Sequence, residues 1–265
     1  MLAETWRGTW VVAYREILRF VAERSRLVSS ILFPLLFLVI FGAGFSNVIG
    51  NLAPGVDFVK FMYPGILAMT VLTTSLFAGV SVVWDREYGF LKEILVAPIG
   101  RVGIVLGKAI GAMVQALIQV AIMLLLAPFV GVSLGPVVVL KMIPLAALLS
   151  LSLSSLGILL ASFMRSQQGF QLIMQILIFP MIFLAGVFFP VNRVPTWVAV
   201  ISKLNPLTYG VDAIRQLLLG PSPSGSAIGV TVLAHTMTLA EDVAVMGLLA
   251  AVLLAVATWA FSRQE

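Results

Sequence analysis

Long apolar runs without charges alternate with short charged segments along the whole chain. Crossing a hydrocarbon core of about 30 Å takes ~20 mostly apolar residues in a helix, so each uncharged run of that length is a candidate span. Seven runs are long enough, but 216–240 opens on a Pro/Ser/Gly stretch that leaves too few apolar residues to cross. The pattern predicts six spans, at 28–47, 62–83, 109–130, 142–163, 169–189 and 243–261.

The segment before the first span has the pattern of a helix that lies along a membrane surface. Trp6, Trp10, Tyr14, Ile17 and Val21 recur at steps of three and four residues, which places them on one helical face. The charged residues lie largely off this face, as in a helix whose aromatic side chains lie among lipid headgroups. We therefore predict an interfacial helix over 1–27, with a soluble helix docked on a partner as the alternative. A cleaved signal peptide fits less well, because its basic segment and its apolar run would both be too long.

Composition and charge agree with a membrane protein and orient it. The 265-residue chain is 61% hydrophobic, has a mean hydropathy of +1.12 and contains no cysteine, which excludes disulfides, cysteine-ligated zinc and thiol catalysis. With the N-terminus in the cytoplasm, eleven of the 16 Lys and Arg residues fall in cytoplasmic segments, in agreement with the positive-inside rule. Six spans then place both termini and the charged loop 84–101 in the cytoplasm.

The segment 190–240 is too apolar for a plain loop between the fifth and sixth spans. Asn205 followed by Pro206 is typical of a helix N-cap with a proline in the first turn, and Gly220 with Pro221 ends that helix. A shorter apolar stretch precedes it, at 195–202. The two stretches predict a helical hairpin that enters the outer leaflet, although a helix lying flat on the outer surface fits the pattern as well.

Candidate catalytic and ion-coupling groups are scarce. Every Asp and Glu lies outside the six predicted spans, whereas carriers coupled to protons or ions usually keep such groups within the membrane. His235 is the only histidine and has no acidic cluster near it in sequence, so we expect it to be structural or exposed. Asp85 and Glu87 are interleaved with Arg86 at the membrane surface, and ion pairing explains them better than acid–base chemistry does.

Glycines at the start of the third predicted span indicate close helix packing. Gly103, Gly107 and Gly111 recur every four residues. The segment up to Lys108 lacks the spacing, the Ser or Thr and the preceding strand of a phosphate-binding loop. The three glycines instead predict a small-residue face that packs on a neighbouring helix.

Uncharged polar side chains mark two of the predicted spans. Gln115 and Gln119 share a face of the third span, and Gln171 and Gln175 share a face of the fifth with Gln168 just before it. Buried amides hold helices together through hydrogen bonds. The same amides are candidates for lining a translocation path, and the sequence leaves both roles open.

Residues 87–96 of the charged loop predict a short helix. Phe90 and Ile94, like Leu91 and Leu95, form apolar pairs four residues apart, and Pro98 ends the helix. A segment with a charged start and one apolar face suits a groove on another protein. Docking on the lipid interface explains the same residues.

Three stretches of the chain carry recognisable motifs. The first has the pattern R-E-x-G-x-L-x-x-L-x-x-x-P, and its residues are Arg86, Glu87, Tyr88, Gly89, Phe90, Leu91, Glu93, Ile94, Leu95 and Pro98. The second ends in Phe-Leu-Ala-Gly-Val-Phe-Phe-Pro at 183–190, and the third is 205–215. In the right order and on the predicted sides, these stretches resemble the ABC type-2 exporter permeases, and most closely their drug-resistance and nodulation-factor export branch. In the first stretch, isoleucine stands where leucine is commoner in the family.

The resemblance implies an all-α polytopic membrane protein with one transmembrane domain over 1–265. An interfacial helix would precede six transmembrane helices, the motif at 86–98 would be the coupling helix that contacts an ATPase subunit, and a helical hairpin would follow the fifth span. The hairpin residues carried over from the family are Asn205, Pro206, Tyr209, Asp212 and Arg215. A second copy of the chain, or a related permease, would complete the path in the cell (inner) membrane, in contact with membrane lipid and without nucleic acid.

The resemblance further implies a transport subunit without catalytic residues, metal or cofactor of its own. ATP and Mg would be bound by a separate ATP-binding cassette subunit. The expected activity is export of an amphipathic or lipid-linked substrate, such as a drug, a glycolipid or a polysaccharide. The alternative is a gradient-driven transporter or channel without an ATPase partner, whereas an intramembrane enzyme would lack an acid, base or metal cluster.

Overall fold

The computed structural model describes residues 2–52, 58–89, 100–132, 134–188, 195–220, 230–232 and 235–263. A 3₁₀ turn, Ala127–Val130, follows the fifth helix, and an antiparallel ribbon of β1, Thr231–Val232, and β2, His235–Thr236, precedes the last. The helices of the described ranges are α1 Leu2–Ala22, α2 Arg24–Leu52, α3 Phe58–Leu76, α4 Ala78–Glu87, α5 Arg101–Leu126, α6 Pro136–Ser162, α7 Gln167–Leu184, α8 Thr196–Leu204, α9 Pro206–Leu219 and α10 Leu239–Ser262.

Five helical segments within the described ranges are long and apolar enough to cross a membrane. They correspond to the second to sixth predicted spans and are Phe58–Glu87, Arg101–Val130, Pro136–Ser162, Gln167–Leu184 and Leu239–Ser262. The first predicted span, 28–47, lies within α2, whose described apolar stretch is Val28–Gly42. The helical membrane fold is therefore confirmed, and the count of six spans stays a prediction.

Helix α6 lies at the centre of the bundle. It packs against α3, α4, α5, α9 and α10, and its Leu149 and Leu153 are fully buried. Small polar side chains let neighbouring helices approach, as where Ser75 of α3 and Ser150 of α6 share a hydrogen bond of 2.8 Å. We call the end of the bundle formed by α1 and by the ends of α4 and α6 the α1 end, and the opposite end the hairpin end.

Helix α1 packs along α5 and turns its aromatic face outward. Trp6, Trp10, Tyr14 and Val21 of the predicted stripe are exposed, and Ile17 is half-buried. The opposite face of α1 is covered by the bundle. The predicted interfacial face is therefore free for lipid contact. The opposite face of α1 docks on α5 of the same chain, whereas the alternative was docking on a partner protein.

Two glycines of α5 form the seat of α1. A Cβ added at Gly107 would lie 2.7 Å from the Thr9 carbonyl oxygen and from the Cβ of Val12, and one at Gly111 would lie 2.7 Å from the Cβ of Glu16. The small-residue face that the sequence predicted is therefore confirmed at these two positions. The neighbour that it receives is α1.

The segment between α7 and α10 contains two helices, α8 and α9, at the place of the predicted helical hairpin. Asn205 caps α9, because its Oδ1 accepts a hydrogen bond of 3.0 Å from the N–H of Leu207, and Pro206 occupies the first turn. Helix α9 is buried from Pro206 to Gln216. Gly210 lies against Leu149, midway along α6. A helix lying flat on the surface does not fit these contacts.

Candidate functional site

The last residues of α4 hold the turn between α6 and α7. Arg86 donates hydrogen bonds of 2.7 and 3.2 Å to the carbonyl oxygens of Met164 and Ser162, at the end of α6. Glu87 accepts a hydrogen bond of 3.0 Å from the N–H of Gln167, the first residue of α7. These two side chains, predicted to contact an ATPase subunit, thus fix the start of the predicted coupling segment to the bundle.

The rest of the predicted coupling segment is partly described. Tyr88 is exposed and lies edge-on to Trp84, with ring centroids 6.2 Å apart, and Gly89 has a φ of 79°. The remaining predicted contact residues lie outside the described part of the chain. They are Phe90, Leu91, Glu93, Ile94, Leu95 and Pro98.

A cavity of about 450 Å³ opens at the α1 end of the bundle. Six helices contribute to its wall: α1, α2, α3, α4, α5 and α7. Phe33, Pro34, Met69 and Phe77 form an apolar part of the wall. Charged side chains line another part, namely Glu16, Arg19, Glu23 and Lys108. The cavity therefore offers polar and apolar surfaces side by side.

Three of the four glutamines proposed for a path line this cavity, and two of them also join helices. Gln115 donates a hydrogen bond of 3.1 Å to the carbonyl oxygen of Glu16 and so binds α1 to α5. Gln119 donates to the hydroxyl of Ser30 at 2.9 Å and accepts from Thr74, joining α2, α3 and α5. These amides hold helices together within the cavity wall.

The glutamines of α7 differ from those of α5. Gln171 is exposed and lines the cavity, whereas Gln175 is exposed one turn further along α7 and does not belong to the wall. Gln167, at the start of the same helix, also lines the cavity. The α7 side chains thus present amide groups to the open space.

A network of paired charges, buried except at Arg15, lies at the α1 end beside the cavity. Asp85 of α4 accepts hydrogen bonds from Arg15 of α1, at 2.9 and 3.0 Å, and from Lys108 of α5, at 2.7 Å. Lys108 also contacts Glu16 at 3.5 Å and the hydroxyl of Ser81 at 2.9 Å. The prediction that ion pairing explains Asp85 is confirmed, but its partners come from α1 and α5 rather than from Arg86.

A second buried polar group lies at the hairpin end. The Gln216 amide donates hydrogen bonds of 3.2 and 2.9 Å to the carboxylates of Asp212 and Asp242, and Asp212 also accepts one of 3.0 Å from the N–H of Val230. Burial raises the pKa of Asp212, against the lowering effect of these donors and of Arg215. Both carboxylates lie outside the predicted spans, as stated above, yet both are buried.

Arg215 and Tyr209, two of the predicted hairpin residues, fasten α9 to its surroundings. The guanidinium of Arg215 donates a hydrogen bond of 2.8 Å to the Gly186 carbonyl oxygen and lies 4.4 Å from the ring centroid of Phe61. Burial lowers the pKa of Arg215 to about 10. Tyr209 donates a hydrogen bond of 2.7 Å to the carbonyl oxygen of Lys203 in α8. The hairpin is therefore held by polar contacts on several sides.

His235 is exposed, as the sequence predicted. Its Nε2 lies 3.2 Å from the carboxylate of Glu241, which in turn caps α10 together with Thr238. Among the described residues, no group of three or more His, Cys, Asp or Glu is placed to hold a metal ion. The polar groups of the described chain thus join helices and line the cavity.

Sequence patterns missed the partners of the buried charges. Arg15 and Glu16 fall off the aromatic stripe of α1, so a stripe-based prediction places them in solvent, whereas they face α4 and α5. Lys108 lies between Gly107 and the third predicted span. The sequence contains one signal of a buried cation at this position: Lys108 directly follows a glycine of the small-residue face, where a neighbouring helix packs closely.

Fold and cavity define the class of this chain as a multi-pass helical membrane protein with a polar and apolar cavity at one end of its bundle. Residues 7–219 match the family described as ABC-2 type transporter. The chain belongs to this ABC-2 permease family, which confirms the resemblance seen in the sequence. Permeases of this family are the membrane subunits of ABC transporters and work with an ATP-binding cassette subunit.

Individual relatives agree with this assignment. The transport permease ycf38 of Cyanophora paradoxa is 34% identical over 213 residues, which cover 78% of this chain and 73% of the relative. The multidrug ABC transporter permease YbhR of Escherichia coli (strain K12) is 30% identical over 63% of this chain and 45% of its own length. Nodulation protein J of Rhizobium meliloti (strain 1021) is 28% identical over 80% of this chain and 81% of its own length.

Proposed function

We propose that this permease exports an amphipathic or lipid-linked substrate, such as a drug, a glycolipid or a polysaccharide, from the cytoplasm or the inner leaflet. The observation that carries the proposal is the cavity at the α1 end, where the aromatic rings of Phe33 and Phe77 face the same space as Arg19 and Gln171. A molecule with a polar and an apolar part meets both kinds of surface there.

An aromatic row extends from the cavity toward the hairpin end. Phe33, in the cavity wall, contacts Phe37 with ring centroids 5.7 Å apart, and Phe37 stacks on Phe41 at 4.5 Å. Phe188 contacts Phe41 at 5.7 Å and Phe183 at 5.1 Å. Phe33 and Phe183 are exposed and the other three rings are half-buried, and this row supports the passage of an apolar chain along it.

The proposal includes the orientation and the partners of the chain. The α1 end faces the cytoplasm, because most Lys and Arg residues lie in the segments at that end. Six spans cross the cell (inner) membrane, with both termini cytoplasmic. A second copy or a related permease forms the other half of the path, and an ATP-binding cassette subunit that holds ATP and Mg contacts residues 86–98 of each copy.

ATP binding and hydrolysis on the partner supply the energy. Arg86 and Glu87 connect the start of the coupling segment to the α6–α7 turn, so displacement of that segment reaches α7 directly. Gln171 lies one turn into α7 and lines the cavity. Movement at the ATPase surface is in this way transmitted to the cavity wall.

The first experiment asks whether an ATP-binding subunit co-purifies with the tagged permease in a stable ratio. The reconstituted complex is then tested for outward movement of a fluorescently labelled phosphatidylethanolamine and for efflux of the dye Hoechst 33342. We expect transport that needs ATP and is stopped by vanadate. Transport that persists without ATP and collapses with an ion gradient would instead support the gradient-driven alternative.

The second experiment tests the cavity. Gln171→Leu removes an amide from its wall, whereas Gln175→Leu makes the same change one turn away, outside the wall. We expect Gln171→Leu to change transport of the labelled lipid or the dye without altering membrane insertion, and Gln175→Leu to have the smaller effect. Equal transport by the wild type and both variants would remove the cavity from the path.

A further inference from the structure

Asp85 joins three helices through a set of paired charges that is buried except at Arg15, whose side chain is 39% exposed. Its carboxylate is 1% exposed and lies between the Arg15 guanidinium and the Lys108 ammonium group, which is itself 2% exposed. Glu16 lies 3.5 Å from Lys108 and 3.7 Å from Arg15, so two acids and two bases form the set. Charges removed from water are tolerated when they are paired in this way.

Such a set restricts the relative positions of the helices that carry it. Arg15 and Glu16 belong to α1, Asp85 to α4 and Lys108 to α5, so any separation of these helices leaves a charge without its partner. Breaking a buried ion pair is strongly unfavourable, because it leaves a charge in the interior without its partner. Helices α1, α4 and α5 are therefore held in one relative position at the α1 end.

Asp85 also stands next to the two residues that hold the α6–α7 turn. Arg86 binds the end of α6 and Glu87 caps α7, so three consecutive residues of α4 contact four different helices. The predicted coupling segment leaves the bundle from this point. A force applied to that segment consequently acts on α4 at the residues that make these contacts.

We propose that Asp85 is a positioning residue that makes α1 and the start of the coupling segment a single rigid unit, so that ATP-driven movement of the segment carries α1 with it. This inference rests on the proposed function, because it needs an ATPase that moves the segment. Glu16 and Lys108 belong both to the charge set and to the cavity wall, and Ser81, which accepts a hydrogen bond from Lys108, also lines the wall, so movement of the unit also moves that wall.

The outward face of α1 gives the movement a further target. Trp6, Trp10 and Tyr14 are exposed on the side away from α5 and lie where headgroups of the inner leaflet are expected. If α1 moves with the coupling segment, these rings move relative to the lipid beside the cavity. Helix α1 then acts as a driven part of the transporter rather than as a passive anchor.

The test removes the connection without leaving an unpaired buried charge. Asp85→Asn combined with Lys108→Met deletes one acid and one base and leaves Arg15 and Glu16 to pair with each other. Asp85→Glu keeps the charge and is the conservative variant. Arg7→Met, which removes an exposed positive charge from the same helix, is the matched control.

Spin labels on introduced cysteines report the movement, since the natural chain has no cysteine. Trp10 marks α1 and Phe163 marks the α6–α7 turn, and both are exposed. Trp10→Cys alone and Phe163→Cys alone give distances between the two copies of the complex. Both substitutions in one chain, diluted with unlabelled copies, give the distance within one copy. Each distance is measured without nucleotide and after trapping with ATP and vanadate.

In the natural background and in Arg7→Met we expect trapping to change both distances between copies and to leave the distance within one copy unchanged. In Asp85→Asn/Lys108→Met the change at Trp10 is lost while the change at Phe163 persists, and Asp85→Glu restores the natural behaviour. A distance within one copy that changes on trapping in the natural background, or a double variant that behaves like it, overturns the inference and leaves the proposed function standing. No change at Phe163 on trapping contradicts the proposed function and the inference together.

Discussion

The carboxylate of Glu87 accepts a hydrogen bond of 3.0 Å from the backbone N–H of Gln167. The last residue of α4 thereby caps the first residue of α7, although 80 positions separate them in the sequence. A carboxylate at a helix N-terminus is favoured by the partial positive charge there. The contact gives the turn between α6 and α7 a defined place beside the predicted coupling segment.

Replacing Glu87 with lysine tests that contact. Glu87→Lys puts a positive charge against the N-terminus of α7, which costs about 0.3–1 kcal/mol of local stability. This cost is small for the whole fold, so the main effect is to displace the turn between α6 and α7 from α4. We expect the variant to enter the membrane and retain ATPase activity while transport falls. The ratio of labelled-lipid transport to ATP hydrolysis is the measurement, and Glu87→Gln, which keeps an oxygen acceptor, is the control. An unchanged ratio in Glu87→Lys would contradict the coupling role.

A single methyl group at Gly107 is expected to displace α1. The added Cβ would meet backbone of α1 at 2.7 Å, so Gly107→Ala should lower stability by about 1–3 kcal/mol, as overpacking does. Gly247→Ala is the matched control, because nothing lies within 4 Å of its added Cβ and alanine favours the helix. The thermal unfolding midpoints of both variants in detergent check this, and a Gly107→Ala midpoint no lower than that of Gly247→Ala would argue against the close packing.

Asp212 is expected to make the hairpin less stable as the pH rises. Burial raises its pKa above the unfolded value of about 4, so the folded chain keeps the proton to higher pH than the unfolded chain does. This contribution is complete below the unfolded pKa and is lost as the pH rises through the folded one. Asp212→Asn removes it, so the midpoint of the wild type should fall relative to that of Asp212→Asn as the pH is raised from 4 upward. A constant difference across that pH range would refute the assignment.

Asn205 carries two separable hydrogen bonds. Its Oδ1 caps α9, and its Nδ2 donates to the Met181 carbonyl oxygen at 2.7 Å, which ties α9 to α7. Asn205→Ala loses both and should cost about 2–3 kcal/mol, whereas Asn205→Ser keeps a cap and should cost roughly 1 kcal/mol. Chemical denaturation of the two variants gives the comparison. Equal losses would mean that only one of the two bonds stabilises the hairpin.

Local signals predicted the parts of this fold that depend on neighbouring residues. The cap at Asn205 followed from a short pattern that acts within one helical turn, and the small face at Gly107 and Gly111 followed from their spacing. The partner of that face did not, because α1 lies about 100 positions earlier and no periodicity names a distant neighbour. The positions of the spans, by contrast, were predicted from the length of the uncharged apolar runs alone.

Burial of charged side chains was the least predictable feature. Asp212 lies on a helix that is covered on all sides, but the sequence pattern reports only the most apolar face. The opposite charges of Lys108 and Asp85 pair with each other, and the tertiary contact that brings them together is not visible in the sequence pattern. The glutamines were placed in the right spans, yet whether each joins helices or faces the cavity depended on which helix stood opposite.

The seat of α1 also has a consequence for the order of synthesis. Glu16 leaves the ribosome 92 residues before its partner Lys108, and Arg15 leaves it 70 residues before Asp85. At typical elongation rates this interval lasts roughly 4–20 s, during which α5 is not yet there to receive α1. The exposed tryptophans of α1 suit contact with the lipid surface in that interval.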